Sequence, residues 1–281
     1  MATDKKVLTV QDISCFGQCS MTVALPIISA CGIETAILPS AVLSTHTGGF
    51  KGFTVRDLTD DIPGIVNHWV QEGLSFDAIY TGYLGSTRQM DMIKDMFRRL
   101  TTPGAVKIVD PAMADHGKLY YGFDDVYARE MGKLCGEADI VLPNITEAAM
   151  MTGAPYVGEG YDEAYIRDLM ERIFALGAKT VVMTGVSYAP EQLGVAVCGR
   201  DDKEISYYFH PRLERSRHGT GDIFAAAFTG ALVQGKTPLA AATLAAEFTL
   251  AAMRATDGDE GHWYGAKFEK ALPLLTGALN H

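Results

Sequence analysis

Short apolar segments rich in β-branched residues alternate along most of this chain with longer segments of helical periodicity. Residues 7–11 form the first apolar segment, residues 21–30 form a helical one, and residues 35–38 begin the next apolar one. Gly32 is placed as the C′ glycine that commonly ends a helix. Because strand, helix and strand in this order form the repeating unit of a parallel sheet, the sequence predicts an α/β fold.

The alternation continues through most of the sequence. Further helices are predicted over residues 61–72, 88–100 and 163–176, and further strands over residues 78–80, 106–109, 140–142 and 180–183. Residues 193–197 and 205–209 are predicted to form an antiparallel hairpin that turns at residues 200–202. After residue 222 the pattern becomes helical, with Ala-rich and Leu-rich segments over residues 223–233, 239–253 and 268–275. We expect at least two of these helices to be buried.

Length, composition and charge limit the number of domains and the class of ligand that this chain can have. No repeat, low-complexity tract or linker divides the 281 residues, which indicates a single domain over residues 1–281. The 24 basic and 34 acidic side chains give a net charge of −10, so neither nucleic acid nor an anionic membrane is expected as a partner. Five cysteines without a C-x-x-C pair argue against a disulfide framework or a zinc site. Without a recognisable signal peptide or bilayer-spanning stretch, a cytoplasmic protein that binds a small molecule is expected.

Polar and glycine-containing segments follow the predicted strands. The carboxyl ends of parallel strands line the ligand crevice of such a sheet, so these segments are the candidates for a functional site. They comprise Asp12, Ser44 to Lys51, Thr81 to Tyr83, Asp110 with Pro111, Asn144 with Glu147, and Thr184 with Gly185.

The segment His218-Gly-Thr-Gly-Asp222 immediately precedes the apolar helix predicted from residue 223. Unpaired backbone amides at such a helix end attract anions, and an adjacent carboxylate can accept a proton from an attacking hydroxyl. This combination favours phosphoryl transfer, with Asp222 as the base. A tight turn with an acidic cap is the alternative, and it is the better interpretation of the pentapeptide in isolation.

Hard oxygen donors of the kind that hold Mg²⁺ beside a phosphate, directly or through its waters, occur at Asp110, Asp115, Asn144 and Glu147. Asn144 and Glu147 are three residues apart at a predicted helix start, hence on one face. A helix cap explains this pair equally well when it is considered alone. Because Asp110 and Asp222 occupy matching strand-end and helix-start positions, we favour the metal role over the cap.

A ring-shaped substrate is the second ligand that the strand-end segments suit. His46 can stack on a ring or hydrogen-bond to it, Thr47 can donate to it, and Tyr83 can pack over it. A surface loop and a core tyrosine are the plainer alternatives for these residues. Cys15 and Cys19 are expected only to pack as small buried hydrophobes.

As a set, these motifs resemble the ribokinase-like (PfkB-type) small-molecule kinases and, within them, the vitamin B6 kinases. The His218 to Asp222 segment with the following Ile-Phe-Ala-Ala is similar to the C-terminal signature of that superfamily, and Pro143-Asn-x-x-Glu147 to its Asn-x-x-Glu element. Three strings resemble the B6 branch: Ser44-Thr-His-Thr-Gly-Gly-Phe50, Thr81-Gly-Tyr-Leu-Gly-Ser86 and Val109-Asp-Pro-Ala-Met-Ala-Asp-His-Gly-Lys-Leu-Tyr120. The resemblance implies a three-layer sandwich with a central, mostly parallel sheet flanked by helices.

The resemblance also implies a reaction and roles for the site residues. Asp222 would deprotonate the 5′-hydroxymethyl group of a B6 vitamer (pyridoxal, pyridoxine or pyridoxamine), and the amides of Gly219, Thr220 and Gly221 would stabilise the transferring γ-phosphoryl group of ATP. The implied sets are Asp12, His46, Thr47 and Tyr83 for the pyridine pocket, Asp115, Asn144, Thr184 and Gly185 for ATP, and Asp110, Asn144 and Glu147 for Mg²⁺. A homodimer is implied as well, and a requirement for a monovalent cation is left open.

Two features depart from the commonest B6 kinases. Asp12 stands where they have serine after the first strand's glutamine, and a carboxylate there favours a protonated ring nitrogen, a cationic amine or a sugar-like diol. The segment of residues 14–20 also replaces their small glycine-bearing loop. Pyridoxamine or pyridoxal is therefore the first expectation for the substrate. A hydroxymethylpyrimidine kinase of the same fold is the alternative activity, and a non-catalytic ligand-sensing homologue is the alternative class.

Overall fold

A computed structural model describes residues 4–213 and 217–279 of the protein. Its strands, in chain order, are β1 (Lys6–Ser14), β2 (Glu34–Leu43), β3 (Val55–Asp57), β4 (Phe76–Thr81), β5 (Thr101–Val109), β6 (Ala114–Asp115), β7 (Lys118–Leu119), β8 (Ile140–Val141), β9 (Thr180–Val186), β10 (Gln192–Gly199) and β11 (Ser206–Pro211). Nine of them form one sheet in the order β11-β10-β9-β8-β5-β4-β1-β2-β3, and β6 and β7 form a separate hairpin.

The centre of the large sheet is parallel. β1, β2, β4, β5, β8 and β9 pair in parallel, whereas β3 at one edge and β10 and β11 at the other are antiparallel. β1 is buried along nearly its whole length, as expected for a strand covered on both faces. The predicted α/β fold and the predicted hairpin after residue 192 are therefore confirmed.

Helices form a layer on each face of the sheet. They are α1 (Met21–Ala30), α2 (Ile62–Gln71), α3 (Thr87–Arg99), α4 (Asp125–Cys135), α5 (Ile145–Thr152), α6 (Glu163–Leu176), α7 (Thr220–Val233), α8 (Pro238–Arg254) and α9 (Phe268–Leu279). α1, α7, α8 and α9 share one apolar core with the sheet, and α2 to α6 share the other. In the described ranges, no helix is both long and apolar enough to cross a bilayer.

The Ala-rich helices α7 and α8 are buried as predicted, because small side chains allow them to pack closely on each other and on α1. The resulting three layers match the sandwich that the resemblance implies. Gly32, with a positive φ of 77°, follows the last residue of α1 and its cap, as a C′ glycine does.

Several strand ends lie later than the sequence pattern predicts. Asp12 is not beyond the first strand but inside β1, at an irregularity of its pairing with β2 between Gln11 and Ile13. Thr184 and Gly185 likewise lie inside β9, which continues to Val186 because it pairs with β10 there. Pairing with a neighbouring strand determines these ends, and a single-sequence pattern carries no information about the neighbour. The short strands β3, β6 and β7 and the helix α4 were not predicted.

Candidate active site

The backbone amides at the start of α7 lie near the carboxyl ends of the parallel strands. Gly219 caps the helix with a left-handed φ of 74°, and the amide of Ile223 makes the first helical bond, to the Gly219 carbonyl at 2.9 Å. A side chain at position 219 would collide with the carbonyl oxygen of Gln18. Glycine is therefore required there on two grounds, and the amides of Thr220 and Gly221 in the first turn have no acceptor within the helix.

Asp222 lies in the first turn of α7, at the centre of the site. The backbone amide of Ser20 donates to its carboxylate, which lowers its pKa. Burial has the larger, opposite effect, and the charge of Asp12 adds to it, so that the pKa of Asp222 is raised to about 7. A carboxylate with this pKa can accept a proton near neutral pH.

Asp12 is buried beside Asp222, with only 4% of its surface exposed. The hydroxyl of Ser14 donates to it at 2.9 Å, and the hydroxyl of Ser20 donates to it as well. Burial nevertheless raises the pKa of Asp12. Its charge raises the pKa of Tyr83 too, which places the phenol close to this carboxylate. A cationic group entering between these side chains would relieve the burial of negative charge.

A second acidic region lies where β5 ends. Asp110 is buried, its amide donates to the Thr81 carbonyl at 2.9 Å, and one of its carboxylate oxygens accepts from the Ala112 amide at 3.2 Å. Burial raises the pKa of Asp110 well above its usual range, and the charges of Glu147 and Asp222 raise it further. The structure thus brings Asp222 close to carboxylates from two other parts of the chain, as the sequence predicts.

The hydroxyl of Tyr120 also lies close to carboxylates from several parts of the chain. Burial raises the pKa of Tyr120, and four carboxylates raise it further: Glu147, Asp115, Asp110 and Asp222. These come from α5, β6, the end of β5 and the start of α7. Tyr120 is not among the functional residues that the sequence predicts, and its place at the end of the motif that begins at Val109 is the sequence signal that points to it.

Asn144 and Glu147 form a reciprocal capping box at the start of α5. The Asn144 side chain accepts from the Glu147 amide at 2.9 Å, and the Glu147 carboxylate accepts from the Asn144 amide at 2.9 Å. Glu147 also accepts from the Met113 amide at 2.9 Å, while the Asn144 side-chain amide donates to the Ala114 carbonyl at 2.8 Å. The cap interpretation is therefore correct as a structural description, and it ties α5 to the segment after Asp110.

The acidic residues fit a Mg²⁺ ion that travels on nucleotide phosphates rather than one held in a cage of protein ligands. Both oxygens of Glu147 accept backbone amides, and burial raises its pKa to about 7. Within the described ranges, no three His, Cys, Asp or Glu side chains are arranged to hold a metal ion together. Mg²⁺ commonly uses one or two carboxylates and keeps several waters beside substrate phosphates. Asp110 suits direct or water-mediated contact, and Glu147 suits contact through water.

His46 occupies the loop after β2 with both ring nitrogens engaged. Its Nε2 bonds to the Tyr264 carbonyl at 2.8 Å, and its Nδ1 accepts from the Gly48 amide at 3.1 Å. Burial and the nearby His218 lower its pKa, while the bond to Tyr264 raises it. A neutral ring with Nε2 protonated satisfies both bonds, so only the ring face of His46 is left for contact with a substrate.

The remaining predicted residues flank the two acidic regions. Tyr83 is half-buried, with its ring centroid 5.5 Å from that of Phe123, and Thr47 is exposed. On the other side, the Thr184 amide donates to the Pro143 carbonyl at 2.9 Å, which places it next to Asn144. Asp115 and Gly185 are exposed on that side as well.

The two cysteines of the β1–α1 loop differ from the prediction. Cys15 is exposed, so its assignment as a buried packing residue is wrong. Cys19 is partly buried, and burial together with the charges of Asp222 and Asp12 raises its pKa well above the ordinary value. Cys15 directly follows the last residue of β1, and spacing along the sequence does not reveal which side chains of the following loop face outward.

Comparison with known proteins gives a consistent result. The family model for phosphomethylpyrimidine kinase matches residues 26–266. A pyridoxine/pyridoxal/pyridoxamine kinase from Bordetella bronchiseptica is 27% identical over 259 residues, which are 89% of each chain. A crystal structure with pyridoxal of a candidate phosphomethylpyrimidine kinase from Bacteroides thetaiotaomicron superposes with a TM-score of 0.91 at 35% identity, covering 99% of this chain and 96% of that one. For pyridoxal kinase from Lactobacillus plantarum the TM-score is 0.89 at 31% identity, with 98% of each chain covered.

Proposed function

The chain belongs to the phosphomethylpyrimidine kinase family and is a small-molecule kinase with an alcohol acceptor, and from this premise we propose that it phosphorylates the 5′-hydroxymethyl group of a vitamin B6 vitamer. The observation that carries the proposal is the position of Asp222. It lies in the first turn of a glycine-capped helix, close enough to Asp12 and Asp110 for their charges to interact, and Asp12 in turn lies near Tyr83. A hydroxyl held beside Asp222 faces both a ring pocket and a phosphate region.

In this reaction Asp222 acts as the general base. It takes the proton of the hydroxymethyl group as the oxygen of that group attacks the γ-phosphorus of ATP. A new oxygen–phosphorus bond forms, the bond from the γ-phosphorus to the β,γ-bridging oxygen breaks, and ADP leaves. The amides of Gly219, Thr220 and Gly221 stabilise the equatorial oxygens of the transferring group. Positioning and charge neutralisation supply most of the rate enhancement in phosphoryl transfer.

Mg²⁺ would neutralise charge on the β- and γ-phosphates when it is bound with ATP. Asp110 would hold it or one of its waters, and Glu147 with Asn144 would orient a water beside it. Asp115, Thr184 and Gly185 would line the nucleotide side. ATP itself is proposed from the phosphoryl-transfer site and from family membership.

In this proposal Asp12 determines which substrate the site prefers. A buried carboxylate beside a half-buried tyrosine favours a protonated pyridine nitrogen or a cationic amine, because either relieves the burial of charge. Pyridoxamine and pyridoxal are therefore the first candidates. Thr47 and the ring face of His46 complete the pocket in this proposal.

The test is to incubate the purified protein with ATP and Mg²⁺ and each of several acceptors, and to separate the products by chromatography. Formation of a 5′-phosphate from pyridoxal, pyridoxamine or pyridoxine supports the proposal. Faster turnover of hydroxymethylpyrimidine supports the second candidate, a hydroxymethylpyrimidine kinase, which is favoured by similarity to a hydroxymethylpyrimidine/phosphomethylpyrimidine kinase from Bacillus subtilis. Ribose serves as a hydroxyl acceptor without an aromatic ring. Binding of a vitamer without any product supports the ligand-sensing alternative and refutes the kinase mechanism.

A homodimer is proposed from family resemblance, and a cytoplasmic location from the sequence pattern, in which no signal peptide or bilayer-spanning stretch is recognised. Sedimentation of the purified protein at several concentrations tests the oligomeric state, and a monomer throughout would contradict the homodimer. Fractionation of cells that produce the protein tests the location.

A further inference from the structure

Aromatic rings from four segments that are distant in sequence meet at the rim of the site. They are Phe16 from the β1–α1 loop, His46 and Phe50 from the β2–β3 loop (residues 44–54), His218 before α7, and Trp263 with Tyr264 from the α8–α9 connection (residues 255–267). The ring centroids of Phe50 and Trp263 are 4.5 Å apart, and those of His46 and His218 are 5.3 Å apart. The proposed reaction assigns no role to His218 or Trp263.

Two adjacent glycines of the β2–β3 loop receive two of these rings. A Cβ atom at Gly48 would lie 2.6 Å from Nδ1 of His218, and a Cβ atom at Gly49 would lie 2.9 Å from the Trp263 ring. Gly49 also has a left-handed φ of 83°. The two rings can therefore pack this closely on the β2–β3 loop only because Gly48 and Gly49 have no side chains. We call this pair of glycines, on which the rings pack, the seat.

Backbone contacts reinforce the same connection. The Tyr264 carbonyl bonds to the ring of His46 at 2.8 Å and accepts from the Gln18 amide at 3.4 Å. The α8–α9 connection thus touches both the β2–β3 loop and the segment that donates to Asp222 through Ser20. Trp263 remains 43% exposed, so its large ring lies at the rim and not in either apolar core.

We propose that Trp263 and His218 are positioning residues that hold the glycine pair, and with it the β2–β3 loop, against the start of α7. The inference rests on the proposed function, in which this loop contacts the substrate ring and α7 carries the base. Its consequence is that the ring pocket is assembled before the vitamer binds. If the loop were released, only a fraction of molecules would be competent to bind, and the apparent dissociation constant would rise by the inverse of that fraction.

Replacing Trp263 tests the proposal, because the KM for the vitamer and the KM for ATP are expected to respond differently. Trp263→Ala is expected to raise the KM for the vitamer about tenfold while the KM for ATP changes less than about twofold, since the β2–β3 loop supplies residues to the proposed ring pocket and none to the proposed nucleotide side. Trp263→Phe restores most of the affinity because it keeps a ring over Gly49. The matched control is Trp69→Ala. Trp69 packs on Phe76 at 5.8 Å between ring centroids, and Phe76 lies at the amino end of the central strand β4, whereas the site lies at the carboxyl ends of the parallel strands. Its loss lowers Tm without changing either KM.

The seat itself is tested without any activity measurement. Trp69→Phe leaves Trp263 as the sole tryptophan, so its fluorescence reports on the rim. In that background Gly49→Ala is expected to increase acrylamide quenching of Trp263. Gly52→Ala is the matched control, because Gly52 lies in the same loop with a φ of 69° and has nothing within 4 Å of its Cβ position. It carries the same backbone strain and leaves the quenching unchanged.

The outcomes separate this inference from the proposed function. If the unmodified protein phosphorylates no vitamer, the proposed function fails, and the quenching experiment still decides whether Gly49 seats Trp263. If the unmodified protein is active and Trp263→Ala leaves the vitamer KM unchanged, or raises both KM values equally, the positioning role is overturned. Equal quenching in the Gly49→Ala and Gly52→Ala variants overturns the seat.

Discussion

Asp222 shows how a single residue serves the proposed reaction at the expense of stability. Burial raises its pKa to about 7, whereas an aspartate in an unfolded chain has a pKa of about 4. Above pH 7 the folded protein holds a buried charge, which destabilises it. As the pH falls from 7 toward 4, the folded state takes up a proton that the unfolded state does not bind, so this contribution to the free energy of unfolding becomes less unfavourable.

Asp222→Asn is therefore expected to lower kcat by at least about a hundredfold, as for loss of a general base, and to raise Tm at pH 8. The gain in Tm should shrink as the pH is lowered and vanish below about pH 4, where both forms are neutral. Kinetics and thermal unfolding across this pH range test both effects. Asp201→Asn, which changes an exposed carboxylate at the β10–β11 turn, serves as the control and should change neither quantity. Near-normal turnover of Asp222→Asn would contradict the base assignment.

Asp12 carries the second residue-level prediction. Changing Asp12→Ser removes the buried carboxylate that favours a cationic ring or amine, so the ratio of kcat/KM for pyridoxamine to that for pyridoxine should fall about tenfold, roughly the effect of losing one charged hydrogen bond. The KM for ATP should stay the same. The measurement is a competition between the two vitamers followed by chromatography. An unaltered ratio would contradict a contact between Asp12 and the cationic amine of pyridoxamine.

Among the structural elements, amphipathic helices were predicted best and strand ends worst. α1 and α6 begin and end where the sequence predicts, because each is an uninterrupted apolar or amphipathic segment that stops at a following glycine, Gly32 or Gly177. The strand β8 was predicted to within one residue, whereas the hairpin β6–β7, which depends on what lies beside it, and the helix α4 were missed, although Asp124 caps α4. The candidate site was predicted through its motifs. The Trp263 contacts were not, since nothing local in the sequence links residue 263 to Gly49.

Replacing Asn144 at the start of α5 distinguishes its two interpretations, a helix cap and a residue of the nucleotide region. As a cap, Asn144→Ala should lower the free energy of unfolding by about 1–2 kcal/mol. As part of the nucleotide region, it should also raise the KM for ATP, because the segment that it ties down at Ala114 includes Asp115. Asp162→Ala is the matched control, since Asp162 caps α6 by accepting from the Tyr165 amide at 3.1 Å, away from the site. If the two variants lose the same stability and neither changes ATP kinetics, Asn144 is a cap only.

At the scale of the whole molecule, several separate elements of the fold each place an acidic side chain at the same site. The net charge is −10, and β1, the end of β5, β6, α5 and the start of α7 each bring a carboxylate to the site. A nucleotide with four negative charges is repelled by this arrangement unless a divalent cation accompanies it. In the proposed reaction, a divalent cation bound with the nucleotide would offset this concentration of negative charge.

Nucleotide binding should therefore depend strongly on Mg²⁺. With Mg²⁺ and ATP at about a hundred times its dissociation constant, linkage stabilises the fold by about 2.7 kcal/mol, which raises Tm by about 5 °C in a chain of this size. With EDTA in place of Mg²⁺, at matched ionic strength, the rise should be less than half as large. Asp110→Asn should narrow the difference between the two conditions, because it removes one repelling charge and one contact to the ion. Equal stabilisation with and without Mg²⁺ would show that the phosphates bind away from these carboxylates, and the phosphate region would have to be placed elsewhere on the sheet edge.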